Sequence, residues 1–328
     1  MKMNPKLFYV LAGTSMVLAA CGGEAAQPKD DERVIIYSNA DDEAVAVLKK
    51  ALDDKGYKDR YVIQSMGTSE LGGKLMAEGT KIEADIITMA SYFLESAQQK
   101  NTMFKDMKVE QVPVDDYGTY QMPMLGNAGA IFVNTKALEA ADLPAPKSIK
   151  DLADPIYKGQ ISFPNIMDSS TAWLLIQGIL NEYGEKEGKS IIADLKQNAG
   201  PHIESSGSGP IKKVKAGEVA IGFGLRNQAV QANTEGMPIE VVDPLEGNFT
   251  LTESISVVNK DEMNSLTEKI AQTMATEARE AMLAEYPVVL YQDETLPNTE
   301  KAANFKRWDT TLTVELLEQH QAIFNEAQ

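Results

Sequence analysis

The sequence predicts an α/β protein with two lobes, each a mainly parallel sheet flanked by helices, and a ligand cleft between the lobes. Two observations support this prediction. Short β-branched strands alternate with amphipathic helices in two separate parts of the chain, which is typical of doubly wound sheets. The chain has 328 residues. Roughly 295 of them are expected to fold, which is enough for two domains.

The first alternation predicts three strand–helix units. β-branched runs such as VIIY and DIITM predict the strands, and a stretch with helical periodicity follows each strand. Gly79 marks the end of the second helix, since glycine is favoured just after a helix. The predicted strands are 34–37, 61–64 and 85–89, and the predicted helices are 41–52, 69–78 and 92–99.

The second alternation follows a loop-like segment that ends near Pro123. It contains a short basic helix from Pro210 that runs directly into an apolar strand, and amphipathic helices fill most of the chain after it. We assign 33–128 and 255–300 to the first lobe and 129–254 to the second. The lobe that holds the C-terminal helices of 301–328 is left open. The predicted strands are 129–134, 158–164, 239–244 and 252–259, and the predicted helices are 170–183 and 190–197.

Residues 1–20 predict an export signal. Lys2 and Lys6 precede an apolar stretch that is too short to cross a membrane, and Leu-Ala-Ala-Cys21 closes it. This ending resembles the lipobox of bacterial lipoproteins, which implies cleavage before Cys21 and a lipid on its sulfur. Residues 21–32 are small and polar and predict a flexible tether. We expect an exported protein that only this lipid anchor holds on the extracytoplasmic face of the cell membrane.

Charge, cysteine and histidine content exclude several classes of protein. The formal charge is −17, and loss of Lys2 and Lys6 makes it about −19, which argues against nucleic acid as a partner. Cys21 is the only cysteine, so the mature chain has no internal disulfide and no cysteine-based metal cluster. His202 and His320 belong to no HExxH pair. We expect no enzyme activity, no cofactor and no metal.

Four loops place small polar residues between the end of a strand and the start of a helix. Helix starts present unpaired N–H groups and the positive end of the helix dipole, and hydroxyl side chains add donors. Each loop by itself is also an ordinary helix cap, but four loops split between two lobes predict a shared anion site at the carboxyl ends of the strands. The loops are Ser38-Asn39, Gly67-Thr68-Ser69, Asp168-Ser169-Ser170-Thr171 and Ser205-Ser206-Gly207-Ser208.

Several segments resemble the type 2 solute-binding proteins of ABC importers. The resemblance runs from about Val34 to Asn259 and is nearest to the branch that includes binders of ferric iron, 2-aminoethylphosphonate and hexose phosphates. It implies a type 2 periplasmic-binding-protein fold that closes on a ligand and presents it to a membrane permease; we expect a monomer. The segments are GTSELGGKLMAEG, ADII, DLADPIYKGQISFPNIMDSSTAW and SSGSGPIKKVKAGEVAIGFG.

The resemblance also reduces the number of ligand classes that fit this sequence. Iron binders of this branch resemble each other in a tyrosine pair just after the AGEVAIG strand, where this sequence has Arg226 and Asn227. Ferric iron takes anionic oxygen ligands, whereas the planar fork of an arginine suits a phosphoryl group. We therefore predict a small organophosphorus anion, either 2-aminoethylphosphonate or a phosphate ester. The predicted ligand-binding residues are Ser38, Asn39, Thr68, Ser69, Ser169, Ser170, Thr171, Ser205, Ser206, Gly207, Arg226 and Asn227.

An amine on the ligand requires a carboxylate or an aromatic face, and the candidates are Asp168, Glu253, Tyr37 and Tyr92. The sequence does not choose among them. Three alternative functions stay open. The first is a ferric-iron binder, for which Tyr37 and Tyr92 are available as ligands. The second is a polyamine binder, which suits the acidity but needs aromatic walls and two spaced carboxylates. The third is a ligand-sensing partner of a signalling receptor.

Overall fold

The computed structural model describes residues 33–296 and 301–328. The predicted signal peptide, tether and lipidated Cys21 lie outside the described residues. Within the described chain, no helix combines the length and apolarity needed to cross a bilayer.

The first part of the chain forms the three predicted strand–helix units. Four of the five residues of the first strand are buried, as in a strand that is covered on both faces. The Asp41 side chain caps the first helix by accepting a hydrogen bond from the Ala44 amide. The strands are β1 (Val34–Ser38), β2 (Tyr61–Ser65) and β3 (Ile86–Ala90), and the helices are α1 (Asp42–Asp54), α2 (Thr68–Glu78) and α3 (Ser91–Asn101).

The second part begins with one long strand and continues as a second alternation. Its strands are β4 (Met122–Asn134), β5 (Ile161–Pro164), β6 (Ile203–Glu204), β7 (Ile221–Leu225), β8 (Ile239–Val242) and β9 (Thr250–Val257). Its helices are α4 (Thr135–Ala141), α5 (Thr171–Ala199), α6 (Gly209–Ala216) and α7 (Arg226–Thr234). Helices α8 (Thr267–Thr276), α9 (Arg279–Glu285) and α10 (Val314–Glu326) follow.

The structure separates the two predicted helices at Gly184. Helix α5 (Thr171–Ala199) consists of two helical segments that meet at a kink, where Gly184 has the non-helical angles φ +70° and ψ 174°. The predicted helix 170–183 ends at this kink, and the predicted helix 190–197 lies within the second segment. A glycine adopts a positive φ without a Cβ clash.

Nine strands form one curled sheet in the order β2-β1-β3-β9-β4-β7-β5-β6, with β8 paired to β4. Strands β1, β2 and β3 are mutually parallel, as are β5, β6 and β7. The first set packs with α1, α2 and α3 and the second with α5 and α6, each around its own apolar clusters. The two-lobed α/β fold expected from the sequence is therefore confirmed.

Strands β4 and β9 connect the two lobes. Strand β9 is antiparallel to β3 on one side and to β4 on the other, so that Glu253 lies between Ala90 and Leu125. The second half of β4 pairs with β7 and β8. These two strands place their side chains at the junction of the lobes.

Helix α10 packs on α5 of the second lobe. Leu317 and Phe324 enter the largest apolar cluster. The Trp173 indole N–H donates to His320 Nδ1 at 2.9 Å, and the Lys196 ammonium donates to the carbonyl of Phe324 at 2.8 Å. The chain after the last strand thus returns to the second lobe, although the residues before α10 also contact the loop at Asp115 through Arg307.

A buried ion pair fixes α9 against β4. Arg279 is 4% exposed, and its guanidinium donates to Glu294 at 2.5 Å, to the Met124 carbonyl at 3.0 Å and to the Val288 carbonyl at 2.9 Å. Glu294 also accepts hydrogen bonds from the amides of Leu290 and Tyr291. The pair satisfies backbone groups on both sides of it, and removing one partner leaves the other buried without compensation.

We expect Glu294→Ala to lower the free energy of unfolding by about 3–5 kcal/mol, because it leaves the Arg279 guanidinium buried without its carboxylate. Urea denaturation measures the change. Asp54→Ala is the control: Asp54 forms an exposed ion pair with Lys50, and its loss should cost less than about 1 kcal/mol. Equal effects of the two substitutions would contradict the structural role of Arg279.

Candidate functional site

A cavity of about 250 Å³ lies at the junction of the lobes, where four helices begin, α1, α2, α5 and α6. The starts of α2, α5 and α6 face it, and strands β4 and β9 form its floor through Asn127 and Glu253. The lining residues are Asn39, Ala40, Asp41, Asp42, Glu43, Met66, Gly67, Thr68, Asn127, Asp168, Ser169, Ser170, Thr171, Ser205, Ser206, Gly207, Ser208, Lys212, Leu225 and Glu253.

The second lobe supplies most of the hydroxyl groups. Ser169, Ser170 and Thr171 precede or open α5, and all three are at least nine-tenths buried. No side chain caps the start of α5 or of α6. The two helix starts are packed tightly together, because a Cβ on Gly207 would overlap Thr171 Oγ1. The starts of both helices therefore border one small volume, together with the hydroxyls beside them. Not every amide there is available to a ligand, since Ala172, Trp173 and Gly209 donate to backbone carbonyls and Pro210 has no N–H.

The first lobe adds the start of α2. Gly67 precedes this helix and provides no side-chain cap, and Thr68 Oγ1 accepts a hydrogen bond from Asn39 Nδ2 at 3.1 Å. The hydroxyl of Ser69 donates to the Met167 carbonyl of the second lobe at 2.5 Å. This hydrogen bond joins the lobes at the edge of the cavity, so Ser69 contributes to closure and not to the cavity lining.

The remaining predicted loop, Ser38-Asn39, differs from the other three. Ser38 is fully buried and bonds to Thr88 and to the Ala40 amide, so its hydroxyl does not reach the cavity. The start of α1 is capped by its own Asp41 carboxylate, and Asp42 and Glu43 follow in the first turn. This helix start presents carboxylates, which leaves three donor-rich helix starts where the sequence predicts four.

The floor and the α1 side of the cavity are acidic and short of donors. Glu253 is 4% exposed, and its Oε1 accepts from Asn127 Nδ2 at 3.0 Å. Glu253 Oε2, Asn127 Oδ1 and Asn39 Oδ1 are buried and have no hydrogen-bond partner among the described residues. Three acceptor oxygens on lining residues are thus unsatisfied, which is uncommon for buried polar atoms.

Burial raises the pKa values of two carboxyl groups on this side of the cavity, Glu253 and Asp41. Burial, and next the charge of Asp41, raise the pKa of Glu253 to about 8, although the Asn127 hydrogen bond opposes the shift. Burial also raises the pKa of Asp41, against the hydrogen bonds that it accepts from Tyr286 and the Ala44 amide. Glu253 is therefore largely uncharged at neutral pH in the ligand-free protein.

In the structure Arg226 pairs with a carboxylate of the protein, Asp243. Its Nε donates to Asp243 Oδ1 at 2.8 Å, and neither Arg226 nor Asn227 lines the cavity. Burial would raise the pKa of Asp243, but hydrogen bonds from Arg226 and the Ala303 amide hold it below its usual value. The structure thus places Arg226, the first residue of α7, in an ion pair with the segment after β8, outside the cavity in which the predicted phosphoryl clamp would act.

Tyr37 and Tyr92 also lie outside the cavity lining. The Tyr37 hydroxyl donates to Glu83 at 2.8 Å. The ring of Tyr92 packs between Phe93 and Trp173, and its hydroxyl has no hydrogen-bond partner in the described part of the chain. Of the four predicted amine partners, Glu253 and Asp168 line the cavity, and Asp168 is exposed.

Sequence reasoning missed Asn127 and Lys212. Asn127 is a polar residue inside the otherwise apolar strand β4, and that position is the signal that identifies it. Lys212 lies on α6 and is the one basic residue among the lining residues, against five carboxylates. Only the tertiary structure shows that this particular lysine faces the cavity.

A larger cavity of about 450 Å³ lies between α3, the loop at 115–121 and the segment before α10. Tyr92, Gln121, Thr252, Arg307 and Trp308 are among its lining residues. No loop between a strand and an uncapped helix start opens into it except the start of α3 at Ser91. It lacks the three converging, uncapped helix starts of the smaller cavity, which we therefore take as the candidate site.

We expect Gly207→Ala to lower the free energy of unfolding by about 1–3 kcal/mol, since the new methyl group overlaps Thr171 and forces the starts of α5 and α6 apart. Thermal and urea unfolding of the ligand-free protein measure this. Gly73→Ala is the matched control, because a Cβ at Gly73 in α2 meets open space and alanine favours a helix. A neutral Gly207→Ala would show that the two loops are not packed as described.

Relatives of known sequence show limited identity over most of the chain. An uncharacterised protein of Haemophilus influenzae is 23% identical over 247 residues, which cover 72% of this chain and 71% of the relative. A spermidine/putrescine-binding periplasmic protein of Salmonella typhimurium is 24% identical over 259 residues, covering 73% of this chain and 71% of the relative.

Solved structures share the fold at lower identity. The periplasmic binding protein P5PA superposes with a TM-score of 0.75 and 17% identity, over 90% of this chain and 99% of that one. The binding protein AfuA of Actinobacillus pleuropneumoniae, with fructose-6-phosphate bound, gives a TM-score of 0.68 and 20% identity over 90% and 97%. Iron-bound HitA of Pseudomonas aeruginosa gives 0.71 and 18% over 90% and 99%.

These neighbours confirm the type 2 periplasmic-binding-protein fold that the sequence resemblance implies. All three of these solved structures are binding proteins. The model of the bacterial extracellular solute-binding protein family matches residues 82–311. The chain therefore belongs to this family, whose members are the solute-binding components of ABC importers.

Proposed function

We propose that the protein captures a small organophosphorus anion in the 250 Å³ cavity, with 2-aminoethylphosphonate as the specific ligand, and delivers it to an ABC permease. The observation that carries the proposal is the convergence of three helix starts, α2, α5 and α6, none of which has a side-chain cap. A tetrahedral oxyanion accepts several hydrogen bonds at once, and backbone amides at helix starts are suited to donate them.

The donors come from both lobes, so one anion links them. Thr68 belongs to the first lobe, whereas Ser170, Thr171 and Ser206 belong to the second. Lys212 adds the one positive side chain of the lining and is itself exposed. Because the cavity is partly shielded from water, these dipoles act on the anion more strongly than they would at an open surface. Ligand binding would therefore stabilise the closed arrangement of the lobes.

The volume of the cavity, about 250 Å³, limits the ligand to a small molecule. The five carboxylate residues in the lining favour a phosphorus compound that also carries an amine, such as 2-aminoethylphosphonate, over phosphate esters without one.

The two alternative ligands receive less support. No tyrosine lines the cavity, and the described residues include no group of three His, Cys, Asp or Glu side chains arranged for a metal ion, which disfavours ferric iron. A polyamine has one specific observation in its favour, the five carboxylate residues in the lining. However, the lining has no aromatic ring to cover the methylene groups of a polyamine, and a polyamine has no group for the donors of α5 and α6.

The cellular context completes the proposal. We propose that the mature chain begins at a lipidated Cys21, that residues 21–32 tether it to the membrane, and that it works as a monomer on the extracytoplasmic face. Mass spectrometry of the membrane fraction tests the lipid, and Cys21→Ser should release the protein from that fraction.

We expect calorimetry to give binding of 2-aminoethylphosphonate and weaker or no binding of glucose 6-phosphate, spermidine and ferric citrate. The reason is that 2-aminoethylphosphonate combines an anion for the helix starts of α2, α5 and α6 with an amine for the acidic residues of the lining. Binding of spermidine or iron with no response to either phosphorus compound would replace the proposed ligand by the corresponding alternative.

We expect Ser170→Ala to weaken 2-aminoethylphosphonate by about 1.5–3 kcal/mol, the value of a hydrogen bond to a charged group. Ser96→Ala is the control, because Ser96 lines the larger cavity and not the candidate site. Calorimetry on both variants assigns the ligand to one cavity. A loss of affinity in Ser96→Ala with none in Ser170→Ala would move the site to the larger cavity.

A further inference from the structure

On the side of the cavity formed by α1 and the strands β4 and β9, three buried side-chain oxygens have no hydrogen-bond partner among the described residues. Resting on the proposed function, we infer that Glu253, Asn127 and Asn39 form a subsite for a protonated amine of the ligand, and that the amine enters in exchange for the proton of Glu253. The ligand is then a zwitterion, whose anion is held by the helix starts and whose ammonium is held by this subsite.

The unsatisfied atoms carry the inference. Glu253 Oε2, Asn127 Oδ1 and Asn39 Oδ1 are buried, belong to residues that line one cavity, and have no hydrogen-bond partner among the described residues. The orientation of the Asn127 amide follows from its Nδ2, which donates to Glu253 Oε1 at 3.0 Å and leaves Oδ1 as the outward acceptor. An ammonium has three N–H donors and no acceptor, so it complements three acceptors.

The groups that face Glu253 supply no compensating charge. Asp41 at the start of α1 is a second carboxylate, and the hydroxyl of Tyr286 after α9 is already donated to Asp41. Tyr92 of α3 is an uncharged neighbour whose hydroxyl is unpaired. Lys212 lines the same cavity from α6, but its side chain is exposed and forms no ion pair with Glu253 in the described chain.

A buried carboxyl among such neighbours is held in its neutral form, because burial penalises the charge. Its raised pKa of about 8 agrees with this geometry. When the ligand ammonium arrives, it favours the carboxylate, the O–H bond of Glu253 breaks, and the proton passes to solvent. The ammonium stays protonated and donates hydrogen bonds to Glu253, Asn127 and Asn39. One positive charge of the ligand thus replaces one proton of Glu253, and the total charge of the site does not change.

The exchange predicts how affinity depends on pH. Below about pH 8 the protein must lose a proton to bind the amine, so affinity for the zwitterion rises with pH, by up to about tenfold per pH unit. Above that pH Glu253 is already ionised and its contribution levels off. A phosphonate without an amine lacks this dependence, because nothing displaces the proton.

Calorimetry with 2-aminoethylphosphonate and propylphosphonate tests the inference. At pH 7 in two buffers that differ in ionisation enthalpy, we expect 2-aminoethylphosphonate to bind at least tenfold more tightly and to release about one proton more than propylphosphonate. Because the ammonium lowers the second pKa of the phosphonate group, the proton release of each ligand is corrected for that ligand's own phosphonate ionisation, measured by titration of the free ligand. Equal affinity and equal proton release would overturn the amine subsite while leaving the proposed phosphonate function intact.

Variants separate charge from structure. Glu253→Gln should bind 2-aminoethylphosphonate at least tenfold more weakly, remove the extra proton release and abolish the preference for 2-aminoethylphosphonate over propylphosphonate. Glu240→Gln, at an exposed glutamate of β8, is the matched control and should behave as wild type. A Glu253→Gln variant that keeps the preference for the amine would overturn the inference.

If neither phosphonate binds, the proposed function is wrong. Thermal unfolding of the ligand-free protein at several pH values then still tests the state of Glu253. Because the folded-state pKa of Glu253 lies above its ordinary 4.5, the unfolded chain ionises first as the pH rises. The thermal midpoint of the wild type should therefore fall relative to Glu253→Gln between about pH 5 and pH 8. Parallel midpoints over that window would show an ordinary carboxyl and overturn the subsite.

Discussion

The antiparallel pairing of β4 with β9 is the constraint on which the rest of the structure depends. These strands belong to both lobes, since β9 continues the sheet through β3 and β4 continues it through β7. Their side chains are therefore set at the one place where the lobes meet. Glu253 and Asn127 point to the same face two positions apart across this pairing, which gives the cavity a fixed polar floor. The helix starts of the two lobes are then arranged around that floor.

The cavity separates hydrogen-bond donors from acceptors. On one side, helix starts without side-chain caps direct N–H groups and hydroxyls inward; on the other, carboxylate and amide oxygens are gathered by α1 and the connecting strands. In a site of low dielectric both halves are costly when empty, because dipoles and carboxyl groups lack partners. A ligand with opposite charges at its two ends removes both costs at once, which is the physical basis of the proposed specificity.

Buried charges in this protein differ in whether their partners are already present. Arg279 pairs with Glu294 and with two backbone carbonyls, and Arg226 pairs with Asp243. Glu253 has no such partner for its second oxygen in the described chain. This distinction separates Arg226, whose carboxylate partner belongs to the fold, from Glu253, for which we propose a partner on the ligand.

The sequence by itself determined the elements and the class of fold, because strand and helix periods and the small polar residues after strands are local properties. VIIY and DIITM predict β1 and β3 to within a residue or two, and the loops at Thr68, Ser170 and Ser206 were predicted to meet in one cleft. Only the tertiary structure decided which groups face that cleft. The partner of Arg226 lies on a separate strand connection at Asp243, and the role of Asn127 depends on the register of β4 against β9. These contacts join positions far apart in the chain, and no local pattern records which of several polar residues will be satisfied by the fold and which will be left for a ligand.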